Sequence, residues 1–506
     1  MRPLVAVAVT AVAGVLLAFA FPPFGLWPLA ILAIAGFTWA CRDRGLVAGA
    51  GLGVLFGVVF FGILIRWIVV VGPDAWVALT LYSGAWFALA GAGTAAVTRI
   101  RGWPLWVACG WVAQEALRDR IPLGGWPWGR LGFSQSESGW VGMSWWGGVP
   151  LLTFLVTLAG AALLWSVVTW RDHRVWSGVV AVLAVCVPVV PIPTLASADG
   201  SAVVAVIQGD VPATGLGFAT EGQRRAVLDN HVAQTLALAD AVRQGAAPQP
   251  EAVVWPENSS DVDPFAARDA AAAISTAARA IDAPILVGAV VTNPEDPTTV
   301  LNVGVVWDPV TGPGPRYVKQ HPVPFGEYVP FRGLLTRFIG RFDLVPRDFV
   351  AGTDPGVLPV GPVTVGDVIC FEVAYDEIVR GTVLAGAQML AVQTNNATYT
   401  DGGQSEQQVA MAKIRAVEQG RSTAVAATNG ISAMFRPDGT QTGMLPERAA
   451  GWLIDDLPQS THLSPAAVLG GWPELMGLAA ALVAFAVGLR RGNDSRGSGF
   501  RDATTG

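Results

Sequence analysis

The sequence predicts a helical membrane bundle joined to a layered α/β sandwich, and three observations carry that reading. The 506 residues are 52% hydrophobic and only 14% charged, where a soluble chain carries about 25% charge. Eight apolar stretches approach the roughly 20 residues that cross about 30 Å of hydrocarbon, seven of them before residue 200 and one after residue 470. From Ser201 the texture changes to short apolar runs mixed with helical ones, the pattern of buried sheets covered by helices. The expected domains are a seven-helix membrane domain at 1–195, a water-facing domain at 196–465, a last membrane helix at 466–491 and a disordered tail at 492–506.

The spans are expected at about 4–21, 26–41, 46–70, 75–98, 103–118, 149–170, 176–193 and 472–489. The first follows Arg2 and is built like a signal peptide, but further spans follow it, so it reads as an uncleaved anchor. Charges in short loops orient the bundle. With a cytoplasmic N-terminus, the inner connections hold Arg42 and Arg44, Arg99 and Arg101, Arg171 and Arg174, and the tail holds Arg490 and Arg491. The outer loop Phe21-Pro-Pro-Phe-Gly25 is uncharged, whereas 118–148 breaks the pattern with Arg118, Arg120 and Arg130. The count favours placing the water-facing domain outside the cytoplasm. Loop 118–148 also carries Trp126, Trp128, Trp140, Trp145 and Trp146. They form either an interfacial aromatic belt or a rim that receives a lipid headgroup, with Arg130 near the phosphate. Gly51-Leu-Gly53 lies inside a span and reads as helix packing, not a phosphate loop.

In the water-facing domain, strands are expected at 202–207, 252–255, 284–291, 299–307, 363–370, 388–393, 422–428 and 431–436, and helices near 221–244, 265–281 and 404–420. The organising stretch is Val365-Gly-Asp-Val-Ile-Cys-Phe-Glu372, an apolar run that ends in a cysteine. Open α/β sheets place their chemistry at such carboxyl ends. Cys370 is therefore the candidate nucleophile. Cys41, Cys109 and Cys186 fall in or beside apolar segments and read as small buried hydrophobes. No two cysteines are close in sequence, so no zinc or redox spacing exists, and no cofactor is expected.

A free thiol is only a few per cent thiolate at neutral pH and needs help. Glu257, after Trp255-Pro256 at a strand end, is placed to be a partly desolvated general base. Lys319 is one of only two lysines, with Lys413, in a chain that otherwise uses arginine. Near a thiol it would favour the thiolate and later stabilise an oxyanion, an attraction of about 4 kcal/mol at 4 Å and an effective dielectric of about 20. Taken alone, Glu257 also fits a helix cap and Lys319 a solvated cation. Of the four histidines only His321 lies beside these motifs, so a Cys–His pair is open as well.

Glu, Lys and Cys in this order, each at a strand end, resemble the triad of the nitrilase (carbon–nitrogen hydrolase) superfamily. Lys319-Gln-His-Pro-Val-Pro-Phe-Gly-Glu-Tyr-Val-Pro330, Cys370-Phe-Glu372, Thr394-Asn-Asn396 and the helix from Gln404 through Arg415, Glu418 and Arg421 look like its membrane-bound branch, the apolipoprotein N-acyltransferases. The resemblance implies an αββα sandwich held outside the cytoplasm of a bacterial inner membrane. It implies that Cys370 takes the sn-1 acyl chain of a phospholipid as a thioester and passes it to the N-terminal diacylglyceryl-cysteine of an apolipoprotein. Glu257 would be the base and Lys319 the oxyanion partner. Glu327 would assist, the Phe371 N–H would join the oxyanion hole, Glu372 would orient, and Asn395 would face substrate. A monomer is expected. The chain departs from the family at Phe371, where Tyr is frequent, at Gly215 to Phe218, where a Trp is frequent, and at Ala397-Thr-Tyr-Thr400.

In Arg332-Gly-Leu-Leu-Thr-Arg-Phe-Ile-Gly-Arg-Phe342, the residues Leu334, Leu335, Phe338, Ile339 and Phe342 share one helical face, with Arg337 and Arg341 on another. This predicts a lid whose apolar face enters the bilayer, Leu335 and Phe338 meeting the acyl chain. Two other functions share parts of the pattern. A membrane-tethered amidase acting on a small amide shares the triad but needs only one anchor. A transporter or scaffold would carry polar or broken spans. No basic stripe is present, which excludes nucleic acid as an expected partner.

Overall fold

A computed structural model describes residues 2–191, 193–194, 196–211, 221–337, 339–340, 342 and 345–501. The chain divides into two compact units, Met1–Ile192 with Leu469–Gly506, and Pro193–Val468.

The first unit is helical. Among the described residues, five stretches are long and apolar enough to cross a membrane: Pro3–Ala20, Leu46–Leu64, Pro73–Val97, Gly139–Thr169 and Trp472–Arg491. Three expected spans are shorter helices, Pro28–Cys41 with 14 residues, Trp103–Arg118 with 16 and Arg174–Cys186 with 13. At 1.5 Å per residue, such helices reach only about 20–24 Å. The expected span at 75–98 is two helices, Pro73–Ala85 and Phe87–Val97, that meet at Trp86. The last helix, Trp472–Arg501, runs on through residues whose composition predicts a disordered tail. Glycine packing holds for Gly53, where a Cβ would lie 1.9 Å from the Phe87 carbonyl oxygen, and Gly49 faces Gly91 in the same way.

This unit also buries charge. Glu115 accepts from the Leu131 N–H (2.7 Å) and the Thr153 hydroxyl (2.8 Å). Arg130 is 2% exposed and ion-paired with Asp119 (3.1 Å) and Glu474 (3.0 Å). The expectation that Arg130 waits for a lipid phosphate is therefore corrected: its charge is already met by carboxylates inside the unit. Arg120 reaches the other oxygen of Glu474 at 2.5 Å. Removing one partner of a buried pair leaves an uncompensated charge. Glu474→Gln is expected to lower stability by about 3 kcal/mol, read as a drop in the thermal midpoint of the detergent-solubilised protein.

Among the described residues the second unit contains twelve strands: β1 (Gly200–Gln208), β2 (Ala252–Val254), β3 (Ile285–Thr292), β4 (Val300–Asp308), β5 (Gly312–Val318), β6 (Val357–Val360), β7 (Val363–Ile369), β8 (Met389–Thr394), β9 (Thr423–Ala427), β10 (Ser432–Phe435), β11 (Gln441–Leu445) and β12 (Gly451–Gln459). They form two six-stranded sheets, in the orders β12-β1-β2-β3-β4-β5 and β11-β10-β9-β8-β7-β6. In each sheet the central strands run parallel, β1 with β2 and β3, and β7 with β8 and β9. One apolar core lies between the sheets, where Val204, Val254 and Leu286 of the first meet Val365, Ile369 and Ala391 of the second. A second core lies under the helices Glu221–Arg243 and Arg268–Ile281, which cover the first sheet through Leu228, Leu238, Ile274 and Ile281. Strands buried on both faces read as continuous apolar runs, which is why β1, β3, β4, β7 and β8 were legible.

His231, fully buried on the helix Glu221–Arg243, fixes the turn after β1. Its Nε2 accepts the Gly209 N–H (3.2 Å), so Nδ1 carries the proton and donates to the Val227 carbonyl (2.7 Å). Burial holds its pKa down at about 4, from 6.5. A lowered imidazole contributes stability that is full above about 6.5 and lost as pH falls through 4, on the order of 3 kcal/mol in all. His231→Gln keeps an acceptor for Gly209 and removes the titration. Its thermal midpoint is expected to depend less steeply on pH between 6.5 and 4 than that of the wild type.

Candidate active site

The carboxyl ends of β2, β5, β7 and β8 converge, and each delivers a polar residue. Cys370 follows β7 at φ 56°, a left-handed position that opens a tight turn through Ala374. Two side chains hold that turn. Glu372 is fully buried; one oxygen accepts the Ile369 N–H (2.8 Å), and the other accepts the N–H groups of Gln320 (2.7 Å) and His321 (3.0 Å). The Tyr317 hydroxyl also donates to this carboxylate, at 2.9 Å. Burial pushes Glu372 up to about 7, against the pull of Lys319 and these donors. Glu372 thus ties the loop after β5 to the cysteine turn, an orienting role. Arg415, buried on the helix Gln404–Gln419, donates to the carbonyls of Val373 (2.8 Å) and Ala374 (2.9 Å) from the far side.

Glu257, past the end of β2, and Lys319, directly after β5, are 4% and 1% exposed. Lys319 Nζ lies 3.0 Å from Glu257 Oε1 and 3.0 Å from Glu327. Asn302 of β4 donates to the same two carboxylates, at 2.7 Å and 2.9 Å. Glu327 is held in turn by the Val323 N–H (2.6 Å). The second oxygen of Glu257 accepts the Asn395 N–H (3.0 Å). Burial opposes charge on Lys319, yet Glu257 and Glu327 together hold it well above its ordinary value, so it is a fixed ammonium ion.

The thiol behaves differently from the expectation that Lys319 favours a resting thiolate. Desolvation and then Glu257 push Cys370 up to about 12, with Lys319 pulling the other way. Two carboxylates already neutralise that lysine, so its field at the sulfur is weak. Cys370 therefore rests as a thiol. The Sγ atom has the Thr394 hydroxyl at 3.4 Å and Gln408 Nε2 at 3.8 Å. His321 packs its ring on Tyr375 (4.1 Å between centroids), and burial, then Lys319, lowers it to about 4. It is neutral at physiological pH.

The other expected site residues divide. Asn395 holds Glu257: besides its N–H on that carboxylate, its amide donates to Asn258 (3.2 Å) and accepts from the Thr428 hydroxyl (3.1 Å). Phe371 is buried beside the nucleophile with its ring edge-on to Tyr375. Leu335 is half-buried in a short helix, Arg332–Leu335, anchored by Arg332 on Asp348, while Phe331 and Leu334 are exposed. Phe338, and the stretch Gly215 to Phe218, lie outside the described residues. Asn302 is the residue that sequence reasoning missed. Its signal was a single amide in the otherwise apolar run Val300-Leu-Asn-Val-Gly-Val-Val306.

The family model for the apolipoprotein N-acyltransferase N-terminal domain matches residues 13–162, and that for carbon-nitrogen hydrolase matches 204–463. An apolipoprotein N-acyltransferase of Mycolicibacterium smegmatis is 41% identical over 90% of this chain and 80% of its own length. Another, of Azotobacter vinelandii, is 30% identical over 95% of this chain and 94% of its own. Among solved structures, an amidase from Nesterenkonia sp. is a distant neighbour, 22% identical with a TM-score of 0.37, over 52% of this chain and 93% of that one. The chain belongs to the apolipoprotein N-acyltransferase family.

Proposed function

We propose that this chain moves the sn-1 acyl chain of a phospholipid to the N-terminal amine of a diacylglyceryl-cysteine apolipoprotein, through a thioester on Cys370. The observation that carries the reading is a cysteine at a strand end beside a buried Glu257–Lys319–Glu327 cluster, in a chain of this family. As Sγ attacks the ester carbonyl, its proton passes to Glu257. The tetrahedral oxyanion is stabilised by the Lys319 ammonium and the Phe371 N–H. The carbon–oxygen bond then breaks, Glu257 returns the proton to the departing lysophospholipid, and the acyl-enzyme remains. In the second half the acceptor amine attacks the thioester, Glu257 takes a proton from it, and that proton returns to the Cys370 sulfur as the amide forms. Glu327 and Asn302 keep Lys319 and Glu257 in register throughout.

Apolar helices suit a substrate that never leaves the bilayer. The arginine distribution supports eight crossings, with both termini cytoplasmic and the catalytic unit outside. The exposed Phe331 and Leu334 support an apolar lid over the acyl entrance.

The test is to incubate the purified protein with phospholipid labelled in its sn-1 chain, then add a diacylglyceryl-cysteine peptide. Labelled acyl group on Cys370, discharged to the peptide faster than to water, is the expected result. Turnover of small amides with no acyl adduct from phospholipid would replace this reading with a tethered amidase.

A further inference from the structure

One acid in the catalytic unit is not used by this chemistry. Asp367 lies in the middle of β7, three residues before Cys370, and is fully buried. An acid in the centre of an apolar strand is destabilising unless it is neutralised or paired. Apart from the adjacent Val368 N–H, which favours the ionised form, its surroundings are acceptors. A Cβ placed on Gly304 of β4 would lie 1.9 Å from Asp367 Oδ2 and 2.8 Å from Gln393 Oε1, so both oxygens crowd the space that this glycine leaves. Both Asp367 oxygens and Gln393 Oε1 meet no donor at hydrogen-bond geometry. Gln393 cannot turn its amide round to supply one, because its Nε2 is engaged by the carbonyls of Trp255 (2.5 Å) and Leu286 (3.3 Å) in the opposite sheet. The titratable groups that face Asp367 are Glu372, Glu257 and Tyr317; the two carboxylates only add negative charge.

The missing donor is a proton. We propose that Asp367 is a neutral carboxylic acid whose O–H donates to Gln393 Oε1, and that the resulting chain from Asp367 through Gln393 to the Trp255 carbonyl is a positioning device for the active site. Each link stands directly behind a working residue. Asp367 shares its strand with Cys370. Gln393 precedes Thr394 and Asn395, which touch the thiol and the base. Trp255 lies two residues before Glu257, and Gly304 two after Asn302. The chain runs from the sheet that bears the nucleophile to the sheet that bears the base. It therefore sets the separation between the thiol and the carboxylate that must take its proton, a quantity to which rate is steeply sensitive.

The inference rests on Cys370 being the nucleophile, which acyl-enzyme formation by the wild type tests separately. The experiment compares Asp367→Asn with Asp367→Leu in the full-length protein, measuring kcat and KM for acyl transfer across pH. Asparagine can donate to Gln393 as the acid does. It is expected to keep kcat within about twofold of the wild type, with an unchanged pH profile. Leucine is near in volume and leaves Gln393 Oε1 unpaired. It is expected to lower kcat about tenfold at nearly constant KM, an effect of about 1.4 kcal/mol. If Asp367→Leu does not fold, an infrared difference spectrum of wild type minus Asp367→Asn decides: a carboxylic-acid C=O band supports the proposal, and a carboxylate band overturns it. It is also overturned if leucine matches the wild type, if asparagine is as impaired as leucine, or if asparagine displaces the pH profile.

Discussion

Cys370→Ser is expected to retain the fold and to lose acyl transfer by roughly 10⁴-fold or more, the usual scale for removing a nucleophile whose partners remain in place. The reason lies in how the residue is held. Its backbone sits at φ 56° with the turn pinned by Glu372 and Arg415, and none of those bonds uses the sulfur. Serine fits the same turn and presents a hydroxyl to Glu257. A hydroxyl is a far poorer nucleophile than a thiol in the same position. Mass spectrometry after incubation with labelled phospholipid should show no stable adduct, while the thermal midpoint stays within a degree or two. A large loss of stability would mean that the thiol packs the turn and that the kinetic loss is indirect.

Lys319→Met is expected to damage both activity and stability, in separable ways. The ammonium lies between Glu257 and Glu327, both of which also accept from the Asn302 amide. Without it two carboxylates face each other in a buried site, and they cannot both stay ionised. Breaking such a pair on one side costs about 3–5 kcal/mol. The sign with pH is also fixed. A carboxyl whose folded pKa is raised contributes stability that is present below its unfolded value and lost as pH rises through the folded one. The variant should therefore be relatively more stable near pH 5 than near pH 8. Adding Glu327→Gln removes one of the opposed charges and should restore much of the thermal midpoint. It should not restore turnover, because the oxyanion partner is still absent, a loss of roughly 10²–10³-fold. Recovery of turnover in the double variant would show that Lys319 serves only to balance charge.

The parts of the molecule that could be read from sequence share a physical cause. Every strand delimited in advance is interior to its sheet, and the four that were not, β5, β6, β11 and β12, are the sheet edges. Interior strands are apolar on both faces. Edge strands such as Gly312-Pro-Gly-Pro-Arg-Tyr-Val318 carry glycine, proline and charge, which weaken the signal. The same logic sorts the site. Glu257 and Cys370 stand at the limits of apolar runs, where a change of texture marks them, and Lys319, after an edge strand, was marked by the scarcity of lysine in the chain. Asn302 and Asp367 sit inside strands, where a lone polar residue reads as noise until its partners from other strands and loops are in place. Arg130 was misjudged because its carboxylate partners, Asp119 and Glu474, meet it only in the folded bundle, the second from hundreds of positions away in the chain.

The sheet pairing has a consequence for how the gene tolerates damage. All of Glu257, Lys319, Glu327 and Cys370 have been translated by residue 370, yet β1 pairs along its whole length with β12, at Gly451–Gln459. A premature stop codon just before 451 would yield a product that contains every reacting group and still leaves β1 with an open edge against solvent. Such a truncation should be as disabling as loss of the nucleophile, and it should be met by proteolysis before any thioester forms.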